Sequence, residues 1–336
     1  MALVLLNWKV IAHKFFAMKW IKQGVIFNPS NYKFHNEPMQ FAQSPQTLVL
    51  GDFVRIYFST RKKDNGKFLS VISFIDIDKT FKQVLSVAKD TVIDLGEPGC
   101  FDEHGIFPIN ILRDGDKILA YTCGWSRRVS VPVETSTGLA ISNNNGISFN
   151  KIGAGPVLTS SLHEPMLVGD SFVKKYDGIF HMWYIFGKAW LPQQGTEPPA
   201  RIYKIAHATS EDGIAWKKEE GKQIIKDRLD EEECQALPTV IKIGEKYHMY
   251  FCYRHATDFR NNPARGYRLG YAYSTDLVSW QRDDANAGID LSETGWDSEM
   301  MCYPHIFECN AKIYLLYNGN EFGKHGFGIA LLKNDQ

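Results

Sequence analysis

The stretch ECQALPTVIKIGEKYHMY, residues 233–250, sets a glutamate five residues before a proline, a glycine turn six residues after that proline, and then an aromatic strand. The pattern returns along the chain. Glu103 to Pro108 leads past Asp114 into ILAY (118–121), and Glu299 to Pro304 leads past Asn310 into YLLY (314–317). Pro45 to Gly51 opens another copy, and Ser171 to Asp177-Gly178 fills the same place without the proline. The runs after these turns, such as VRIYFS (54–59) and FHMWYIF (180–186), carry the β-branched and aromatic residues that fit a pleated, packed surface.

Three units close alike, in AISNNNGISF (140–149), AHATSEDGIAW (206–216) and AYSTDLVSW (272–280). Each reads as a strand, a turn whose Asn, Asp or Gly supplies the required dihedrals, and an aromatic ring that packs between neighbouring units. A period of about 60 residues with four short strands predicts an all-β fold, a five-bladed β-propeller with four-stranded antiparallel blades. The last copy is one strand short, so the N-terminal strand around residues 19–27 is expected to close the ring and remove free edges. No shift in composition divides residues 18–336, which are read as one domain. Residues 1–17 are read as an extension: LVLL (3–6) is broken by Asn7, Trp8 and Lys9 before it reaches the length of a signal core or a membrane span.

Lys plus Arg and Asp plus Glu number 38 each among 336 residues, so no long-range field favours nucleic acid or an anionic membrane. A neutral small ligand fits that balance better than a polyanion. The cysteines at 100, 123, 234, 252, 302 and 309 show neither a CxxC pair nor zinc-type spacing, which points to reduced thiols and a cytoplasmic setting. His104, His163 and His305 have no ligand spacing, so no metal and no cofactor is expected. Oligomeric state is not legible.

Radial repeats bring their first strands to one axis, so residues before the aligned prolines are expected to ring it. They are Gln43 and Ser44, then Asp102, Glu103 and His104, then Glu164 and Asp170, then Glu232 and Glu233, and last Asp297 and Glu299. Crowded carboxylates raise one another's proton affinity, which divides them into acids and bases. Taken singly, each acid is as readily a strand cap or an arginine partner; three glutamates in one register argue for a site. Second-strand ends should approach the same face and carry Arg61, Trp125, Arg254, His255 and Asn318, which offer forked donors and a stacking ring. The longer connections at 125–134 and 190–199 are expected to form pocket walls.

On RIYFSTR (55–61), GCFDEHG (99–105) and GWDSEM (295–300), the chain resembles the five-bladed glycosidase superfamily of arabinanases, invertases, levansucrases and mannoside phosphorylases. It is most similar to uncharacterised glycosidase-like proteins of bacterial surface-polysaccharide gene clusters. The resemblance implies chemistry on a glycosidic bond, with a first-blade aspartate as base or nucleophile, a second-blade aspartate as tuner and a later glutamate as acid. Asp102 or Glu103 matches the second, and Glu164 or Glu233 the third. The first-blade position holds Gln43-Ser44-Pro45, and neither Gln nor Ser is a competent base unaided.

Three routes stay open. A carboxylate such as Glu299 or Glu37 activates water; inorganic phosphate gripped by Arg61, Arg254 or His255 replaces water; or the protein only binds sugar. The expected assignment has Glu233 as general acid, Glu103 as base or partner, Asp102 as tuner and Glu299 as a fourth catalytic carboxylate. Gln43, Arg61, His104, Trp125, Glu164, Asp170, Arg254, Asp297 and Asn318 are expected to bind substrate.

Overall fold

The aromatic runs become central strands of antiparallel meanders in the computed structural model, which describes residues 18–34, 37–38, 40–195 and 197–333. Of Phe34, Glu37 and Pro38 only the backbone is described, and the 1–17 extension lies outside the described residues. One four-stranded meander runs through Val168–Tyr176, Ile179–Leu191, Ala200–Ser210 and Lys217–Lys218; another runs through Glu233–Ile243, Lys246–His255, Arg268–Ser274 and Gln281–Arg282. Gln40–Val49, Phe53–Asp64, Lys67–Asp78 and Val84–Val87 form a third. A single parallel bridge, Ser70 to Gly105, joins it to Gly105–Asp114, Lys117–Arg127, Val133–Ser142 and Asn150–Lys151, making one eight-stranded sheet. In the last sheet Cys302–Cys309, Lys312–Asn318 and Phe327–Leu332 take their fourth strand from the N-terminal side, because Trp20–Phe27 pairs antiparallel with Phe327–Leu332.

The first strands touch in a cycle. Gln40–Val49 contacts Gly105–Asp114, then come Val168–Tyr176, Glu233–Ile243 and Cys302–Cys309, and the last returns to Gln40–Val49. That returning contact is polar as well as apolar. His305 Nε2 lies 2.8 Å from Thr47 Oγ1 and accepts from the Thr47 amide at 3.1 Å. Buried Asn318 accepts from the Ser44 amide and donates to the carbonyls of Ala42 and Gly326.

The closing turns read from the sequence are the contacts between neighbouring units. Ser142, Ser210 and Ser274 each accept backbone amides of their own turn through Oγ, which settles donors that strands cannot reach. Tyr57 then donates to the carbonyl of Gly146 at 2.6 Å, and Tyr121 to that of Gly213 at 3.0 Å, each phenol coming from the preceding unit. The rings that follow the turns meet the second strand of the preceding unit edge-on, Phe149 on Tyr57, Trp216 on Tyr121 and Trp280 on Trp183.

Tyr57→Phe leaves the buried Gly146 carbonyl without its donor and is expected to cost about 1–3 kcal/mol in urea denaturation. Gly213→Ala, with φ +75 and a new Cβ 2.6 Å from the Tyr121 hydroxyl, should lose more than Gly178→Ala, where φ is +85 but nothing lies within 4 Å. Equal losses would mean that backbone strain alone, not the contact between units, makes the turn glycine necessary.

Candidate active site

Each first strand breaks register at the same place: between Gln43 and Gln46, Ile106 and Ile109, Gly169 and Phe172, Ala236 and Thr239, and Cys302 and His305. A bulged residue loses its cross-strand partner and re-aims its side chain. Ser44, Asp170, Leu237 and Tyr303 have φ of 54, 50, 46 and 57, a region that non-glycine residues occupy only when packing imposes it. In the second unit the bulge holds Phe107, before a cis peptide to Pro108. The result is a cavity of about 220 Å³ onto which Gln43, Phe107, Asp170, Leu237 and Tyr303 converge, one from each unit.

Its charge is uneven. Asp170 is the one carboxylate among the lining residues, which also include three arginines, Arg61, Arg201 and Arg260. Burial raises the Asp170 carboxyl to about 7, although Arg201, the Cys123 thiol and the Leu237 amide pull the other way. Part of Asp170 faces the cavity while protein crowds it elsewhere, so desolvation prevails. Burial, with a contribution from Arg260, weakens Arg61's hold on its proton; its guanidinium lies 4.0 Å over the Phe41 ring and donates to Gln43 Oε1 at 3.3 Å.

Behind the wall, Arg254 is buried 3.6 Å over the Phe259 ring and donates to the Tyr203 hydroxyl at 2.9 Å. The Tyr203 and Tyr267 hydroxyls are 2.9 Å apart, and both residues line the cavity. Arginine only donates, so one phenolic O–H serves the bond between the two tyrosines and the other is left to donate elsewhere.

The remaining acids are placed differently. Asp102 pairs with Lys151 at 2.5 Å, Glu164 with Lys218 at 2.5 Å, Glu233 with Arg282 at 2.6 Å and Asp297 with Lys22 at 2.8 Å. All four carboxylates are buried, and every cation lies on the outermost strand of the same sheet. The pairs tie the start of each first strand to the far edge of its own unit, and none of the four lines the axial cavity. Glu233 is the fullest case, accepting also from Gln235 and from the amides of Arg228 and Leu229.

Glu103 accepts from the Gly99 amide and lines a neighbouring cavity, Glu299 is exposed, and the Glu37 side chain lies outside the described residues. His104 stacks on Trp125, and Asn318 sits in the contact between the first and last units. Of the residues expected to bind substrate, Gln43, Arg61, Trp125 and Asp170 line the axial cavity; Arg201, Arg260, Tyr203, Tyr267 and Tyr303 are additions. Tyr303 was legible, since it stands directly before an aligned proline as Asp170 stands before Ser171. Among the described residues no three His, Cys, Asp or Glu gather closely enough to hold a metal ion.

No family model matches the chain. Uncharacterized protein Rv1502 of Mycobacterium tuberculosis (strain ATCC 25618 / H37Rv) is 31% identical over 318 residues, 94% of this chain and 100% of the relative; its counterpart MT1551 in strain CDC 1551 / Oshkosh matches equally. The chain belongs to the family of these mycobacterial proteins. The fold of this chain is that of the propeller glycosidases. A solved glycoside hydrolase superposes with TM-score 0.69 at 16% identity over 94% of this chain and 92% of its own. A thermostable family-43 glycoside hydrolase gives 0.60 at 15% over 88% of each. A structure from the GH130 family of mannoside phosphorylases, described as containing glycoside hydrolases that target β-1,2 mannosidic linkages in Candida mannan, gives 0.65 at 13% over 95% and 94%. At these identities the likeness is one of fold, and it agrees with the resemblance read from the sequence.

Lys218→Met leaves the buried Glu164 carboxylate without its cation, with only the Tyr184 hydroxyl and the Gly221 amide as donors among the described residues, and is expected to cost about 3 kcal/mol by urea denaturation; a loss below about 1 kcal/mol would show the pair to be dispensable. Asp170 behaves in the opposite sense. Its proton is held more tightly in the folded chain, so its contribution to stability is full below its unfolded value of about 3.9 and is lost as pH rises through about 7. The stability of Asp170→Asn relative to the parent should therefore grow between about pH 4 and about pH 7, and a constant difference would contradict the raised value.

Proposed function

We propose that the chain is a five-bladed propeller enzyme that cleaves a glycosidic bond in the axial cavity, with Asp170 as general acid and inorganic phosphate as nucleophile. The five-blade reading is supported by the cycle of first-strand contacts and by the repeated bulge. The observation that carries the chemistry is a single carboxyl, pushed up by burial to about 7, in a cavity whose lining also holds three arginines. Hydrolysis by a carboxylate pair requires a second carboxyl about 5–9.5 Å from the first, and the lining supplies none. Arginine forks suit phosphate oxygens.

In this reading a phosphate oxygen, held by Arg61, Arg201 and Arg260, bonds to the anomeric carbon while the carbon–oxygen bond to the leaving sugar breaks. The Asp170 proton passes to that leaving oxygen, and the products are a glycosyl phosphate and a shortened sugar. Asp170 takes the acid role in place of Glu233 because the Glu233 oxygens are already engaged by four donors away from the cavity. The structural neighbours include both hydrolases and a phosphorylase family, which supports glycosidic chemistry in general. A cytoplasmic setting, where phosphate is abundant, agrees with six cysteines that are all unpaired.

A second reading, hydrolysis with Glu103 as base, draws on the place of Glu103 in the cavity next door. Product release measured with and without phosphate separates the two. The phosphorolytic reading requires sugar phosphate and no release without phosphate; undiminished release without phosphate would replace it by hydrolysis. Asp170→Asn should lower turnover by about 10²–10⁴-fold, and Arg201→Ala should raise the KM for phosphate more than it lowers kcat. Full turnover in Asp170→Asn would remove the acid.

A further inference from the structure

The axial cavity, at about 220 Å³, is smaller than the roughly 300–1,000 Å³ usual for small-molecule sites, whereas a second cavity of about 570 Å³ lies beside it over the second unit. Thr135 lines both. Its Oγ1 is buried and has no hydrogen-bond partner among the described residues, which is costly for a hydroxyl. We infer that this second cavity is a subsite for neutral, hydroxyl-rich sugar units, so that the substrate is an oligosaccharide reaching from Asp170 past Thr135. The inference rests on the carbohydrate reading of the axial cavity and gives that reading a substrate length.

The lining decides the chemistry of the occupant. Arg128 is ion-paired with Glu134, Arg127 donates to the Phe68 carbonyl, and Glu103 accepts from the Gly99 amide and lies 3.4 Å from His104. Cations and carboxylates balance and are already partnered, so this cavity holds no surplus positive charge to match that of the axial one. What remains is a wall of hydroxyls, with Ser136 Oγ and Thr159 Oγ1 2.8 Å apart, beside the ring of Phe101. Hydroxyls with one apolar ring suit a sugar face and edge better than an anion or an apolar tail. Charge thus differs along the combined groove, anion-binding at the axis and neutral beyond it.

Gly155 on the far side allows a clean block. An added Cβ there meets nothing within 4 Å, and its φ lies outside the glycine-favouring region, so Gly155→Trp fills the cavity without straining the backbone. Native mass spectrometry of the full chain against mono- to pentasaccharide ladders of mannose, arabinose, glucose and galactose reads retention by length. The expected result is retention of one ladder from the disaccharide upward, at least about tenfold above its monosaccharide, with Gly155→Trp lowering that ratio about tenfold. Equal retention of monomer and oligomers, a ratio unmoved in Gly155→Trp, or no retention of any ladder overturns the subsite. Phosphate-dependent cleavage of aryl glycosides that persists alongside such a result would leave the axial reading standing, and its absence would remove both.

Discussion

One unpaired residue in each first strand governs the interior of this protein. A strand that kept its ladder throughout would turn its side chains alternately to its two faces and present none of them end-on to the axis. The one-residue register shift recurs in all five first strands, at Ser44, Phe107, Asp170, Leu237 and Tyr303 or beside them. Four of these residues accept a positive φ without being glycine, so the cost is borne repeatedly and at one level of the structure. That repeated strain creates the cavity, and the identity of the five residues gives it a single acid.

Buried carboxylates outside the cavity have a different task. Each of the pairs Asp102 with Lys151, Glu164 with Lys218, Glu233 with Arg282 and Asp297 with Lys22 ties the start of one unit's first strand to that unit's outermost strand. Their burial makes them sensitive to loss of one partner rather than strongly stabilising in net terms. Neighbouring sheets are joined by other means, the tyrosine-to-turn bonds and edge-on rings. Rigidity within and between units is what lets the axial residues hold strained geometry.

Much of this was legible in the sequence. The aromatic runs, the turn chemistry and the need for a borrowed fourth strand follow from periodicity and from Ser, Asn, Asp and Gly at fixed offsets. The register of the prolines was informative too, because the residue directly before each aligned position is the bulged one. Reading outward to the glutamate five residues before the proline failed to find one common place, since the preceding loops differ in length. Asp102 stands six residues before Pro108 and Asp297 seven before Pro304, yet they share a role with Glu233, which stands five before Pro238. Glu103 and Glu299, at the matching spacing, fall outside that set. Arg201 and Arg260 belong to no repeated offset, and only the folded chain brings them into the cavity that Asp170 lines.

The account turns on Asp170 as a desolvated carboxyl at the axis, and its own titration is the most direct measurement of that. Carbon-13 NMR of the Asp170 side chain in labelled protein, assigned against Asp170→Asn, should give a midpoint near 7. A midpoint near the ordinary aspartate value of about 4 would contradict the account, because a carboxyl so placed would be ionised throughout the neutral range and could not serve as the acid.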